Sequence, residues 1–572
     1  MKGKRVIESI ILGVILILMI ISVIIITPHF NYQRETPIYT DFSVRSSTNS
    51  DSFLSMWNTN YISQGSSNIG VVRLPLQSNG TYDFVVDWGD NNSNTITSWN
   101  QISVTHTYLS PGIYFINITG TIIGWSFNNG GDRLKLINVL QWGSLRLTNG
   151  GGYFYGCSNL NLTAVDSLNL TGITNFREFF RDCHNLGSSG NMNGWDVSSA
   201  KDMSYMFFNA YSFNQPIYSW NISQVTVMSS MFREVHAFNQ PIGNWSVSKV
   251  KKMDFLFAGA HSFNHSIEAW DVSCVTDMSE MFTQARSFNQ PLGNWDVSSM
   301  TDMSWMFFQA VKFNQPIGNW NVSSVTNMAS LFHVAILFNQ SIESWDVSSV
   351  TDMSYTFSTT FSFNQPIANW DVSNVIKMIG MFFEAPLFNQ PIEDWDVSQV
   401  TDMTGMFLSA TKFNQPLGNW DVSSVTDMIE MFDKAKSFNQ PIGNWDTSRV
   451  TRMTRMFYNA SSFDQPLGEW DVSSVTEMIE MFNGITLSTY NYDNLLLGWS
   501  QLPLKRGVIF DAGNSRYSPA AFFARETLNK NFSWEITDGG VNLDTLPFVI
   551  VLAVGFSGVI IFLFIRKYKT KI

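Results

Sequence analysis

Apolar positions in the middle of the chain return every 25 residues. Tryptophan stands at Trp195, Trp220, Trp245, Trp270, Trp295, Trp320, Trp345, Trp370, Trp395, Trp420, Trp445 and Trp470, with no insertion. Counting each tryptophan as position 0, position 8 is always methionine (Met203 to Met478) and position 12 always phenylalanine (Phe207 to Phe482). Position 18 is phenylalanine in eleven successive units, Phe213 to Phe463. A fixed period of this length marks an array of stacked units. Each unit then buries its apolar residues against its neighbours rather than alone.

The unit Ile317 to Phe338, IGNWDVSSVTNMASLFHVAILF, carries two periodicities. Ile317, Trp320 and Val322 read as a short strand with one buried face. Val325, Met328, Leu331, Phe332 and Ala335, spaced by threes and fours, read as one face of a short helix. Ser323 and Ser324 are N-cap candidates for it. The predicted fold class is therefore α/β: a leucine-rich-repeat-like solenoid with one short parallel strand and one short helix per unit. At the usual strand spacing, the twelve units make a sheet roughly 55 Å wide. Asn at position 19 (Asn214 to Asn439, then Asp464) and Gln at position 20, with His265 the exception, predict a ladder of side chains bonding the backbone of the next coil.

Outside the regular units, residues 126–194 read as degenerate first repeats or a cap, residues 195–484 as the regular array, and 485–540 as a C-terminal capping unit. Residues 69–125 read as a small β-sandwich-like segment, and 28–68 as a polar linker. Trp142, Phe154, Cys157 and Leu160, then Leu168, Phe180, Cys183 and Leu186, match positions 0, 12, 15 and 18. Cys157 and Cys183 would lie in adjacent layers, compatible with a disulfide or with two small buried residues.

Two apolar runs, residues 9–27 and 546–565, are each long enough to cross a bilayer as a helix. The tails 1–8 and 566–572 are basic, which favours the cytoplasm. The first run reads as an anchor or a signal peptide. Either reading places residues of about 28–545 outside the cell, attached to its membrane. The tails hold seven of the 34 basic residues and one of the 46 acids, leaving 27 and 45, a net charge of −18 for the outer part. Such a surface repels phosphate, which excludes nucleic acid as an expected partner.

Candidate chemistry is sparse. Position 1 carries Asp196, Asp271, Asp296, Asp346, Asp371, Asp396, Asp421, Asp446 and Asp471, with Asn221, Ser246 and Asn321 in the other units. If stacked, these acids form a stripe, either solvated and structural or bearing a ligand such as calcium or a basic partner. Asp87 and Asp90 are turn residues or cation ligands. Asn-x-Ser/Thr sequons stand at Asn79, Asn117, Asn161, Asn169, Asn221, Asn244, Asn264, Asn321, Asn459 and Asn531, candidate glycosylation sites in an exported chain. No Ser/His/acid set, metal-ligand motif or Gly-rich phosphate loop is apparent. A non-enzymatic role without a cofactor is the expectation, calcium being the one candidate cation.

The motif FNQxIxxWDVSxVxxMxxMF resembles the BspA-like surface proteins, in the subgroup with repeats of about 25 residues first noted in mycoplasma lipoproteins. YDNLLLGWSQL, VIFDAGNSRYSPAA and WEITDGG resemble the C-terminal end of the same family. DWGD with HTYLSPGIY resembles the polycystic-kidney-disease (PKD) type β-sandwich, through Trp88, Gly89, Asp90, His106, Thr107, Tyr108, Pro111, Gly112 and Tyr114. The resemblance implies a cell-surface adhesion or protein-recognition scaffold, with the membrane and an extracellular protein or surface ligand as partners. Self-association, or a passive spacer role in the envelope, is the alternative. Lipoprotein members need an early lipobox cysteine; here the first cysteine is Cys157.

Overall fold

The computed structural model describes residues 50–543 and the backbone of 549–554 and 560–565. The first apolar run, both basic tails and most of the expected linker lie outside the described residues.

The described residues open with nine strands: β1 (Phe53–Asn58), β2 (Val71–Arg73), β3 (Leu76–Asp87), β4 (Ser93–Ile96), β5 (Thr105–Thr107), β6 (Ile113–Trp125), β7 (Leu136–Gln141), β8 (Leu145–Arg146) and β9 (Asn161–Leu162). Seven of them form one sheet, ordered β4-β3-β6-β1-β7-β9 with β8 on β6, while β2 and β5 pair separately. Alternate residues of β1 face inward, so Phe53 and Trp57 are fully buried. Trp125 lies edge-on to Phe53 at 5.1 Å. The sheet leads directly into the array: β7 pairs parallel with β9, and single parallel bridges continue at Arg146–Asn169 and Asn175–Asp202.

From Trp195 to Ser488 there is neither strand nor helix. Each 25-residue coil is a succession of turns, bridged to the next through one residue at position 7, as in Asn327 to Asp352. In the Trp320 coil, the N–H groups of Met328, Ser330, Phe332 and Val334 donate to the carbonyls of Asp352, Ser354, Thr356 and Ser358 in the following coil, at 2.8–3.0 Å. The alternate N–H groups, of Leu331, His333 and Ala335, close turns onto Met328, Ser330 and Phe332. Ser330 and Val334, the third residues of two such turns, have φ of 58° and 60°. A helix cannot pass through a positive φ, but a β-turn with its third residue there can. Every second backbone donor therefore points along the stack, satisfying a backbone that forms no regular element.

Side chains repeat the same ladder. Trp320 stacks on Trp345 at 6.4 Å and 2°. Phe332 stacks on Phe357 at 5.8 Å, and within its own coil on Phe338 at 3.9 Å. The buried indole of Trp345 donates from Nε1 to the Ile317 carbonyl of the preceding coil at 3.1 Å. The asparagine ladder forms as expected: Asn364 Oδ1 accepts from the Asn389 N–H at 2.9 Å and from Gln390 Nε2 at 3.1 Å.

The C-terminal unit closes the open end. Ser488 caps α1 (Thr489–Trp499) through the Asn491 N–H. Asn491 Nδ2 then takes the Asp464 carbonyl at 2.9 Å, where the next glutamine of the ladder would bind. Trp499 Nε1 reaches the Leu467 carbonyl at 3.0 Å, standing in for a further ladder tryptophan. β10 (Ile509–Asp511) and β11 (Glu535–Thr537) pair in parallel, and α2 (Phe522–Phe532) carries Arg525, whose Nε donates to Asp538 at 2.7 Å.

Several expectations are overturned. The leucine-rich-repeat-like solenoid of strand plus helix is not the architecture: the sheets lie outside the regular coils, and the chain's two described α-helices have eleven residues each, both in the cap. The β-sandwich-like segment at 69–125 is part of a sheet that starts at Phe53, inside the expected linker, and extends to Leu162. The expected transmembrane helix at 546–565 is replaced by an antiparallel pair, β12 (Val549–Val554) with β13 (Ile560–Ile565). Its β-branched residues favour extended backbone. Among the described residues no helix is long and apolar enough to cross a membrane.

Candidate functional site

The position-1 acids face solvent, and each builds its own turn. Asp346 Oδ1 accepts the Ser348 N–H at 3.1 Å and its hydroxyl at 2.6 Å. The same backbone bond recurs at Asp196, Asp271, Asp296, Asp371, Asp396, Asp421, Asp446 and Asp471. Neutral Asn221 and Asn321 make it equally, to Ser223 and Ser323. The position thus requires a short side chain with an acceptor oxygen, not a charge. Ser323 is a turn donor here, not a helix cap. The serine hydroxyls and N–H groups hold Asp196, Asp296, Asp371 and Asp446 below the usual carboxylate range.

Asp87 Oδ1 accepts the Gly89 N–H at 2.9 Å, and Asp90 pairs with His106 Nε2 at 2.8 Å. His106 stacks on Trp88 at 4.9 Å, and the Tyr108 hydroxyl donates to the Trp88 carbonyl at 2.9 Å. The Trp-Gly-Asp and His-Thr-Tyr segments thus meet in space. Among the described residues no three His, Cys, Asp or Glu side chains converge as a metal site. Of the two alternatives for Cys157 and Cys183, the structure has two small buried residues: both are free thiols, and Cys183 donates to the Phe154 carbonyl at 3.1 Å. Among the sequons, Asn79, Asn221, Asn244, Asn264, Asn321 and Asn531 are exposed, while Asn117, Asn161, Asn169 and Asn459 are partly buried.

Another face of the coils varies where the rest repeats. Position 10 runs Tyr205, Ser230, Phe255, Glu280, Trp305, Ser330, Tyr355, Gly380, and position 13 runs Phe208, Arg233, Ala258, Thr283, Phe308, His333, Ser358. Position 13 of one coil packs against position 10 of a neighbouring coil. Arg233 lies over Phe255 at 4.3 Å and beside Phe208 at 5.6 Å. His333 lies between Trp305, at 6.3 Å, and Tyr355, at 5.8 Å. Tyr355 in turn covers Gly380, where a Cβ would come within 2.5 Å of its ring. Between Phe255 and Trp305 the intervening residue is Thr283, and a cavity of about 250 Å³ opens there. Glu280, Arg233, Glu234, Ala258, Gln284 and Phe308 complete its lining. Burial raises the Glu280 carboxyl against the opposing influence of Arg233, and pushes His333 down to about 4.

Beyond Gly405 this face becomes ionic. Arg455 bridges Glu430 and Asp433, both at 3.1 Å, and reaches Glu480 at 3.6 Å. Burial outweighs the nearby Arg455 and Lys434 and lifts Asp433 to about 6.

The family described as "Mycoplasma protein of unknown function, DUF285" matches four times, at residues 148–260, 240–333, 315–410 and 387–495. Together these cover more than half of the chain. The chain belongs to that family. The DUF285 matches begin before the first regular tryptophan, which places the irregular coils from 148 onward within the family's repeats. No curated protein matches the chain. Within this DUF285 repeat protein, the sequence reading singled out the row that holds turns and passed over the face that differs from coil to coil. The available signal was the list of positions that break the repeat: positions 10 and 13 change in nearly every unit beside invariant Met at 8 and Phe at 12.

Proposed function

We propose that this chain is a non-catalytic recognition scaffold displayed at the cell surface, and that the variable face formed by positions 10 and 13 is its contact surface for an extracellular protein. One observation carries the reading. Tyr205 and Phe255 are half-buried, and Trp305 and Tyr355 exposed, on a backbone otherwise fixed coil by coil. Aromatic and arginine side chains in such positions are the usual anchors of protein interfaces. The resemblance to BspA-like surface proteins, and of Trp88, Gly89, Asp90 and Tyr108 to the PKD-type module, supports display outside the cell.

The test is binding of the purified whole chain to intact cells and to immobilised extracellular proteins. A Tyr205→Ser, Trp305→Ser, Tyr355→Ser variant is expected to bind at least about tenfold more weakly, as for the loss of one interface hot spot. A variant with Asp346, Asp371, Asp396 and Asp421 changed to Asn is expected to bind like the parent. The reverse pattern moves the contact to the acidic row. Absence of any binding by the parent sinks the recognition reading and favours a spacer.

A further inference from the structure

Resting on that reading, the cavity between Phe255 and Trp305 gives the variable face a specific ligand. In the alternate coils on either side, position 13 lays a planar group against a position-10 ring of a neighbouring coil. Arg233 lies over Phe255, and His333 lies between Trp305 and Tyr355. The corresponding residue of the Trp270 coil is Thr283, too small to reach between the rings; its hydroxyl is spent on the Trp305 carbonyl at 2.8 Å. Phe255 and Trp305 are two coils apart, roughly 10 Å at the strand spacing. That gap holds one planar group at about 5 Å from each ring, within the about 6 Å reach of a cation–π contact.

The charge of the missing group follows from the same alternation. Position 10 of the intervening coil is Ser230 below Phe255 and Ser330 above Trp305, but Glu280 at the open slot. No described residue donates a hydrogen bond to the Glu280 carboxylate or forms an ion pair with it. The lining has one cation, Arg233, already laid against aromatic rings, and two carboxylates, of which Glu234 is held by His236 at 2.9 Å. A net negative slot with ring walls favours a cation that is also flat.

We infer that the slot takes the guanidinium of an arginine side chain from the partner protein, stacked between Phe255 and Trp305 with Glu280 as its counter-ion. The incoming arginine occupies in the Trp270 coil the place that Arg233 occupies in the Trp220 coil.

The experiment uses the full chain and three capped tripeptides, Gly-Arg-Gly, Gly-citrulline-Gly and Gly-Trp-Gly, titrated calorimetrically. The arginine peptide is expected to saturate, and the citrulline peptide, flat but neutral, to bind at least about tenfold more weakly, the scale of one lost charge-assisted hydrogen bond. Glu280→Gln is expected to remove the same factor. Thr283→Arg is the decisive variant: it plugs the slot with the chain's own guanidinium, so it should keep or raise Tm and abolish peptide binding. Equal binding of arginine and citrulline peptides, tighter binding of a Gly-Trp-Gly peptide, or unchanged binding in folded Thr283→Arg overturns the assignment. If the arginine peptide fails while the whole chain still binds its surface partner, the slot assignment falls alone. If the peptide binds while the chain binds no surface, the recognition reading falls and the slot stands.

Discussion

Two rows of side chains run along the same coils and differ in kind. The row at position 1 is nearly uniform, Asp or Asn in eleven of twelve units, and each member is consumed by its own turn. The row at position 10 changes from tyrosine to serine, phenylalanine, glutamate and tryptophan within five coils. Exposure alone does not separate them: the position-1 row is almost wholly exposed, and position 10 runs from exposed Trp305 and Tyr355 through half-buried Tyr205, Phe255 and Glu280 to buried Ser230 and Ser330. What separates them is whether the side chain has a bond to make that the fold depends on. Repetition tracks structural obligation, and freedom to vary marks the surface proposed above as the contact face.

The sharpest way to break this comparison is to damage the obligatory part. Trp320→Ala removes a stacked ring and its bond to the Leu292 carbonyl at 2.9 Å, and is expected to cost about 3–5 kcal/mol. Chemical denaturation with hydrogen exchange should show the loss concentrated in the coils around residues 295–345 and absent near 195–220. A uniform loss across the array would mean that the coils do not act as neighbouring layers.

Asn364→Ala leaves the Asn389 N–H without its acceptor and the Gln390 amide with only the residue-364 carbonyl, and should cost about 1–3 kcal/mol in the same assay. A smaller, pH-dependent effect belongs to the variable face. His333 is held near 4 by burial, below its ordinary 6.5. Between those values the unfolded chain binds a proton that the folded chain does not, so the stability it affects falls as pH drops through this window. His333→Phe should flatten that part of the profile. The smallest effect is expected for Asp346→Asn, within about 0.5 kcal/mol, because asparagine keeps the acceptor to Ser348. Asp346→Ala should cost more than Asp346→Asn. Equal losses for the two would assign Asp346 a role through its charge.

The core and the asparagine ladder were legible because they depend on which residues recur. Trp320, Met328, Phe332 and Phe338 were expected inside and are buried. The path of the backbone was not legible. Val322, Val325, Met328 and Leu331 face inward at steps of three, a spacing that a run of tight turns shares with a helix. The positions that decide between them, Ser330 and Val334 at positive φ, carry no glycine to announce the turn. Only occasional coils do, as at Gly380 and Gly405. The apolar run ending at Ile565 misled for a related reason: hydropathy reports burial of side chains, not the pairing partner of the backbone. The slot beside Thr283 could not be seen in one unit at all, because it exists only against Phe255 and Trp305 in the coils on either side.

The bonds from Met328, Ser330, Phe332 and Val334 to the next coil also set how the chain answers tension. Pulled from its two ends, such a stack presents one coil's ladder at a time to the load, like a zip opened tooth by tooth. Each coil that lets go frees 25 residues, roughly 80–90 Å of extended chain. A tether built this way lengthens in equal steps, each dissipating work before the following coil is strained, and it rewinds onto a template left intact beneath.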